Sequence, residues 1–134
     1  MSALRTRVLV AEDFAAYRAL ILDLLRQNDD LRVICDVADG LLAVEKAQEL
    51  KPDLLVLDIG LPGLNGIECG RRVRTILPEV KIVFLSQETS PSIIREALDL
   101  GSCGYVVKSR AANELLVAIR AVLNGERYVS EGFI

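Results

Sequence analysis

The chain has 134 residues, 51% of them hydrophobic and 26% charged, with a net charge of −3 and a mean hydropathy of +0.35. Those values suit one packed globular domain; they argue against a disordered segment and against a domain that grips nucleic acid through its phosphates. Histidine is absent and the three cysteines (Cys35, Cys69, Cys103) are widely spaced, which removes Cys/His zinc sites and Ser-His or Cys-His nucleophile pairs.

No apolar run approaches the ~18 residues of a membrane span, and MSALRTRVLV at the start lacks a secretory apolar region. A cytoplasmic protein is the expectation.

In chain order, residues 5–11 (RTRVLVA) end in an aliphatic run followed by Glu12 and Asp13, a first strand with two acids at its carboxyl end. From Phe14 to Gln27 apolar residues recur at helical spacing, and Asn28-Asp29-Asp30 is the turn that stops the helix. Residues 31–37 (LRVICDV) alternate as a second strand. Asp39 and Gly40 open a helix running to about Leu50, where Lys51-Pro52 ends it.

The chain is organised around residues 54–66, LLVLDIGLPGLNG. A continuous apolar run bounded by turn signals predicts a strand buried on both faces, with Asp58 at the edge where open α/β sheets bind ligands. Asn65 to about Leu77 is the next helix. Residues 80–86 (VKIVFLS) predict a strand ending in Ser86, and Ser90-Pro91 opens a helix that stops at Gly101. Residues 104–107 (GYVV) are a fifth strand with Lys108 at its end, and 111–124 are a last helix closed by Gly125. Residues 126–134 show no period and read as a tail or the start of a linker, leaving 1–125 as the folded domain.

Five strands alternating with five helices, (βα)5, demand a doubly wound and mostly parallel sheet. Parallel strands carry Glu12, Asp13, Asp58, Ser86 and Lys108 to one edge. Each alone has an ordinary structural reading, as a helix-end acid, a turn cap or a solvated surface residue. Together they point to chemistry. At ~5 Å and an effective dielectric of ~20, each carboxylate pair costs roughly 3 kcal/mol, so the cluster calls for a cation. Oxygen ligands without histidine or thiolate favour a hard ion such as Mg2+. A cation, a lysine and a hydroxyl around one carboxylate suit the receipt of a phosphoryl group.

With these motifs in order, the sequence closely resembles the receiver domains of bacterial two-component response regulators over residues 5–125. LDIGLPGLNGIE and VLNGERYVS are most similar to the group that carries a C-terminal LuxR-type helix-turn-helix. The resemblance implies a flavodoxin-like fold with strand order 2-1-3-4-5. It implies Asp58 as phosphoacceptor, and Mg2+ held by Glu12, Asp13, Asp58 and the carbonyl of Gly60. Ser86 and Lys108 would hold the incoming phosphoryl oxygens, and Ser86 with Tyr105 would form the switch. The implied partner is a sensor histidine kinase, with a small phosphodonor as substitute and a homodimer on activation as one candidate assembly. DNA would be reached only through a C-terminal domain outside this sequence, and no membrane is involved. The expected product is a receiver separated from its output domain, or a stand-alone receiver, acting as a signalling switch and not an enzyme.

Two departures from the family pattern stand out. Gln87 follows Ser86 where a small residue is usual, placing a longer polar side chain at the mouth of the site and bearing on access. Ser109 follows Lys108 where many receivers have proline, so a cis peptide is not expected there.

Competing readings are a phosphorylation-independent protein-binding pseudo-receiver and a Mg2+-dependent aspartyl-phosphate phosphohydrolase. The hydrolase would need an acid shortly after its nucleophile, and the position two residues after Asp58 is Gly60. The glycines at 60, 63 and 66 do not match a dinucleotide fingerprint.

Overall fold

The structure is a computed structural model that describes residues 5–101 and 103–133. Residues 1–4 and 102 of the expected domain, and residue 134 of the expected tail, lie outside the described residues.

The elements are β1 (Thr6–Ala11), α1 (Ala15–Arg26), β2 (Leu31–Val37), α2 (Gly40–Leu50), β3 (Leu54–Asp58), α3 (Gly66–Ile76), β4 (Lys81–Ser86), α4 (Pro91–Leu98), β5 (Cys103–Val107), α5 (Ala111–Leu123) and β6 (Tyr128–Val129). A 3-10 turn, Lys108–Arg110, leads into α5. All strand pairs are parallel, in the order β2-β1-β3-β4-β5-β6. The predicted order 2-1-3-4-5 is therefore present, with one strand added beyond β5.

Local chemistry sets where α1 to α4 start. Asp39 accepts a hydrogen bond from the Leu42 amide (2.7 Å) and Asn65 from the Glu68 amide (3.0 Å), satisfying donors that α2 and α3 leave free. Pro91 opens α4, where its missing N–H costs nothing. The first helix starts one residue later than its periodicity suggests, because the Glu12 carboxylate accepts from the Phe14 amide (3.0 Å) and holds Phe14 extended.

Strand side chains alternate, and the two faces bury separate cores. Leu9, Ala11, Leu55, Leu57, Ile82 and Phe84 pack with residues of α2, α3 and α4. Val8, Val10, Leu54, Val56, Val83 and Leu85 pack with Ile21 and Leu25 of α1 and with α5. Every residue of β3 is buried, as a central parallel strand requires.

The structure departs from the sequence reading at the C-terminus. In place of a tail after residue 125, Tyr128 and Val129 pair with Gly104 and Tyr105 as a sixth strand. Ser130 is fully buried: its amide donates to the Tyr105 carbonyl (2.9 Å), and its hydroxyl accepts from the Val107 amide (2.9 Å) and donates to Glu114 Oε1 (2.6 Å). A two-residue edge strand has no period to read, and the Ser130 hydroxyl adds a side-chain anchor to its backbone pairing.

Candidate functional site

Strand parity sorts four of the five edge residues, and Tyr105 with them. Glu12 and Asp58 continue the alternation of Val8, Val10, Leu54 and Val56, and Lys108 continues that of Val106, so all three belong to the α1/α5 side. Ser86 and Tyr105 share the parity of Phe84 and Val107 and belong to the side of α2, α3 and α4. The two groups meet at the carboxyl edge, in an open crevice of about 990 Å³ lined by Glu12, Asp13, Asp58, Gly60, Ser86 and Lys108 among others.

On the first side, oxygens of Glu12, Asp13 and Asp58 lie within 4.8 Å of one another. Glu12 is fully buried, Asp58 is buried and Asp13 is exposed. The Lys108 ammonium stands 2.8 Å from Glu12 Oε1 and 3.3 Å from Asp58 Oδ2. Asp58 Oδ1 accepts from the Gly60 amide at 3.2 Å. Glu12 Oε1 has the Lys108 ammonium, at 2.8 Å, as its charged partner. Three carboxylates this close, offering oxygen ligands alone, fit a hard cation of the Mg2+ type, which prefers oxygen ligands and keeps several waters.

Burial and the neighbouring Glu12 charge push the Asp58 carboxyl above its ordinary range, while Lys108 and the Gly60 amide pull against them.

On the second side, Ser86 Oγ accepts from the Glu88 amide (2.9 Å), and the Tyr105 hydroxyl donates to the Glu88 carbonyl (2.7 Å). The Tyr105 ring is fully buried. Burial raises the Tyr105 pKa, a hydrogen bond with Ser86 works against that rise, and the Glu88 charge adds to it. Gln87 is exposed on the rim of the crevice. The described peptide bonds are all trans, including the one after Lys108.

The loop after Asp58 uses its glycines differently from one another. Gly63 has φ +78°, a left-handed conformation that glycine adopts freely. Gly66 is excluded from substitution by space: a Cβ there would stand 2.2 Å from the Asp58 carbonyl oxygen and 2.8 Å from Ile59 Cα. The start of α3 is thus pressed against the backbone of Asp58, and Gly66 sets that approach.

Three site neighbours were not found from the sequence. Tyr17, on α1, donates its hydroxyl to the Lys108 carbonyl (2.7 Å) and holds its ring 4.9 Å from the Lys108 ammonium. Burial, then Glu12 and Asp58, push its phenol up to about 12, so it stays a donor. Its position one turn into a helix that opens on the acids was the available signal. Phe14, 65% exposed, stands at the mouth. Glu88 acts through its backbone, which no side-chain pattern reveals.

Residues 8–120 match the response regulator receiver domain family. Among curated proteins, the chain is 32% identical over 124 residues to the transcriptional activator protein ExaE of Pseudomonas putida, covering 92% of this chain and 58% of ExaE. The chain thus spans little more than half the length of that relative. Among solved structures, a LuxR-family two-component response regulator from Aurantimonas sp. SI85-9A1 superposes with a TM-score of 0.90 at 29% identity, covering 96% of this chain and 92% of that one. The response regulator domain of Thermotoga maritima CheB gives a TM-score of 0.81 at 35% identity, with 90% of this chain and 97% of that one covered. The match over most of its length, on a sheet of this order and edge, shows that the chain belongs to the response regulator receiver domain family.

Proposed function

We propose that this receiver accepts a phosphoryl group on Asp58 from a sensor histidine kinase or a small phosphodonor, and that the modification alters a surface read by an output domain. The observation that carries this is the convergence of Glu12, Asp13 and Asp58 within 4.8 Å, with Lys108 3.3 Å from Asp58 Oδ2. A carboxylate oxygen of Asp58 attacks the donor phosphorus; the bond from phosphorus to the donor's leaving atom breaks, and the leaving group departs with the electron pair. Glu12, Asp13, Asp58 and the Gly60 carbonyl would hold Mg2+, which when bound supplies positive charge to the transferring oxygens. Lys108 supplies a second positive charge, and Ser86 a hydroxyl donor whose oxygen meanwhile accepts from the Glu88 amide.

The chain is thereby a signalling switch that assists its own modification. Control of transcription through a C-terminal DNA-binding domain follows from likeness to a transcriptional activator of greater length. Homodimerisation on activation belongs to the same proposal. Among the described residues, no helix is long and apolar enough to cross a membrane.

The test is intact-mass analysis after incubation with acetyl phosphate and Mg2+, beside Asp58→Asn and a chelated control. One phosphoryl adduct, lost in both controls, is the expected result. A second reading, a binding module independent of phosphorylation, draws on Gln87, exposed on the rim of the crevice where its side chain can obstruct access to Asp58. Mg2+ binding with no adduct on the unaltered chain would favour that reading.

A further inference from the structure

We propose that Tyr17 is a positioning residue that holds Lys108 over the acidic cluster, gripping it at both ends. Lys108 lies at the junction of β5 and the 3-10 turn, where the regular strand pairing stops. The Tyr17 hydroxyl bonds the Lys108 carbonyl at 2.7 Å, fixing the backbone at that junction from across the structure on α1. The Tyr17 ring then lies 4.9 Å from the ammonium of the same residue, within the range of a cation–π contact. A lysine side chain has four rotatable carbons and tends to swing into solvent. Here the backbone clamp sets where the chain starts, and the ring borders where it ends, between Glu12 Oε1 and Asp58 Oδ2. Tyr17 thus touches both the backbone and the ammonium of Lys108.

The role of Lys108 toward the phosphoryl group rests on the proposed function, but its placement over the acids does not. That placement has two consequences of opposite sign. The ammonium competes with a divalent cation for Glu12 and Asp58, so loosening it strengthens cation binding. It also stands ready beside the phosphoacceptor, so loosening it slows phosphoryl transfer. A general disturbance of α1 would weaken both.

The experiment compares the unaltered chain with Tyr17→Phe, Tyr17→Leu, Lys108→Ala and the Tyr17→Leu/Lys108→Ala double variant. Mg2+ affinity is measured by calorimetry, and adduct formation from acetyl phosphate by intact mass, with circular dichroism checking the fold. Tyr17→Leu is expected to tighten Mg2+ about three- to tenfold, and to slow adduct formation by a similar factor, from loss of one hydrogen bond and one cation–π contact. Tyr17→Phe keeps the ring and falls between. In the Lys108→Ala background, Tyr17→Leu leaves Mg2+ affinity unchanged. Weaker Mg2+ binding in Tyr17→Leu, or an equal effect with and without Lys108, overturns the proposal. An unaltered chain that binds Mg2+ yet takes no adduct refutes the phosphoacceptor reading, while the Mg2+ cycle still decides the role of Tyr17.

Discussion

Ser130→Ala tests whether the C-terminal segment is built into the domain. The Ser130 hydroxyl is the acceptor for the Val107 amide (2.9 Å), and both residues are buried. Alanine leaves that N–H without a partner and without water, a loss of about 1–3 kcal/mol. The vacated volume is one oxygen, so cavity terms add little. The same change removes the 2.6 Å bond to Glu114. Burial raises the Glu114 carboxyl, and hydrogen bonds from Ser130, Arg110 and Tyr128 more than reverse that, so the variant moves it back up. For a chain of this length the melting temperature should fall by roughly 3–12 °C. Urea unfolding gives the free energy, and amide hydrogen exchange at Val107 reports the local opening directly. Glu131→Ala, on an exposed neighbour, serves as control. If Ser130→Ala stays within about 0.5 kcal/mol of the unaltered chain, the scatter of surface changes, and Val107 remains protected, the anchoring role is refuted.

Gly66→Ala should destabilise the fold by about 3 kcal/mol or more in urea unfolding, because its Cβ meets the backbone of Asp58 and Ile59, which no rotamer can relieve. A variant of unaltered stability would mean that α3 does not press on Asp58. The pH dependence of Asp58 has the opposite sign from an ordinary paired carboxylate. Burial and Glu12 hold its folded pKa above the unfolded value, so stability falls as pH rises from the unfolded to the folded pKa, and the loss is complete above both. Asp58→Asn should therefore be the more stable protein at neutral pH in chelator, with the difference closing at acid pH; a less stable Asn variant at pH 7 would contradict this sign.

The parts of the site that were legible from sequence share one property: each is fixed by the end of a strong period. An apolar run that stops at Asp58 announces both a buried strand and which residue leaves its carboxyl edge, and Glu12, Ser86 and Lys108 follow the same logic. Asn65 with Glu68 three residues on marks the start of α3 without any tertiary information. What stayed hidden depends on contacts between distant segments. Tyr17 and Lys108 are 91 residues apart, and only the packing of α1 against α5 beside β5 makes their bond. Ser130 reads as one more polar residue in an aperiodic tail until β5 supplies a strand edge for it to close. Gly66 has an ordinary φ and its necessity is steric, set by a backbone that only the folded chain brings against it.

Strand parity also constrains how a phosphoryl group on Asp58 would act at a distance. Asp58 and Lys108 lie on the α1/α5 side, and Ser86 and Tyr105 on the other, so the signal crosses the sheet at its carboxyl edge. Ser86 accepts from the Glu88 amide and keeps its O–H for donation, so the bond a phosphoryl oxygen would replace is the one it shares with Tyr105. Tyr105 is already buried and bonded to the Glu88 carbonyl, so its ring has no inward step left to make. The modification would exchange a neutral hydrogen bond of about 0.5–1.5 kcal/mol for a charge-assisted one of about 1.5–3 kcal/mol. That difference falls short of the ~5.5 kcal/mol that carries a two-state equilibrium from 1:99 to 99:1. In this chain phosphorylation would bias the α4 face, and the partner that binds the face would complete the shift.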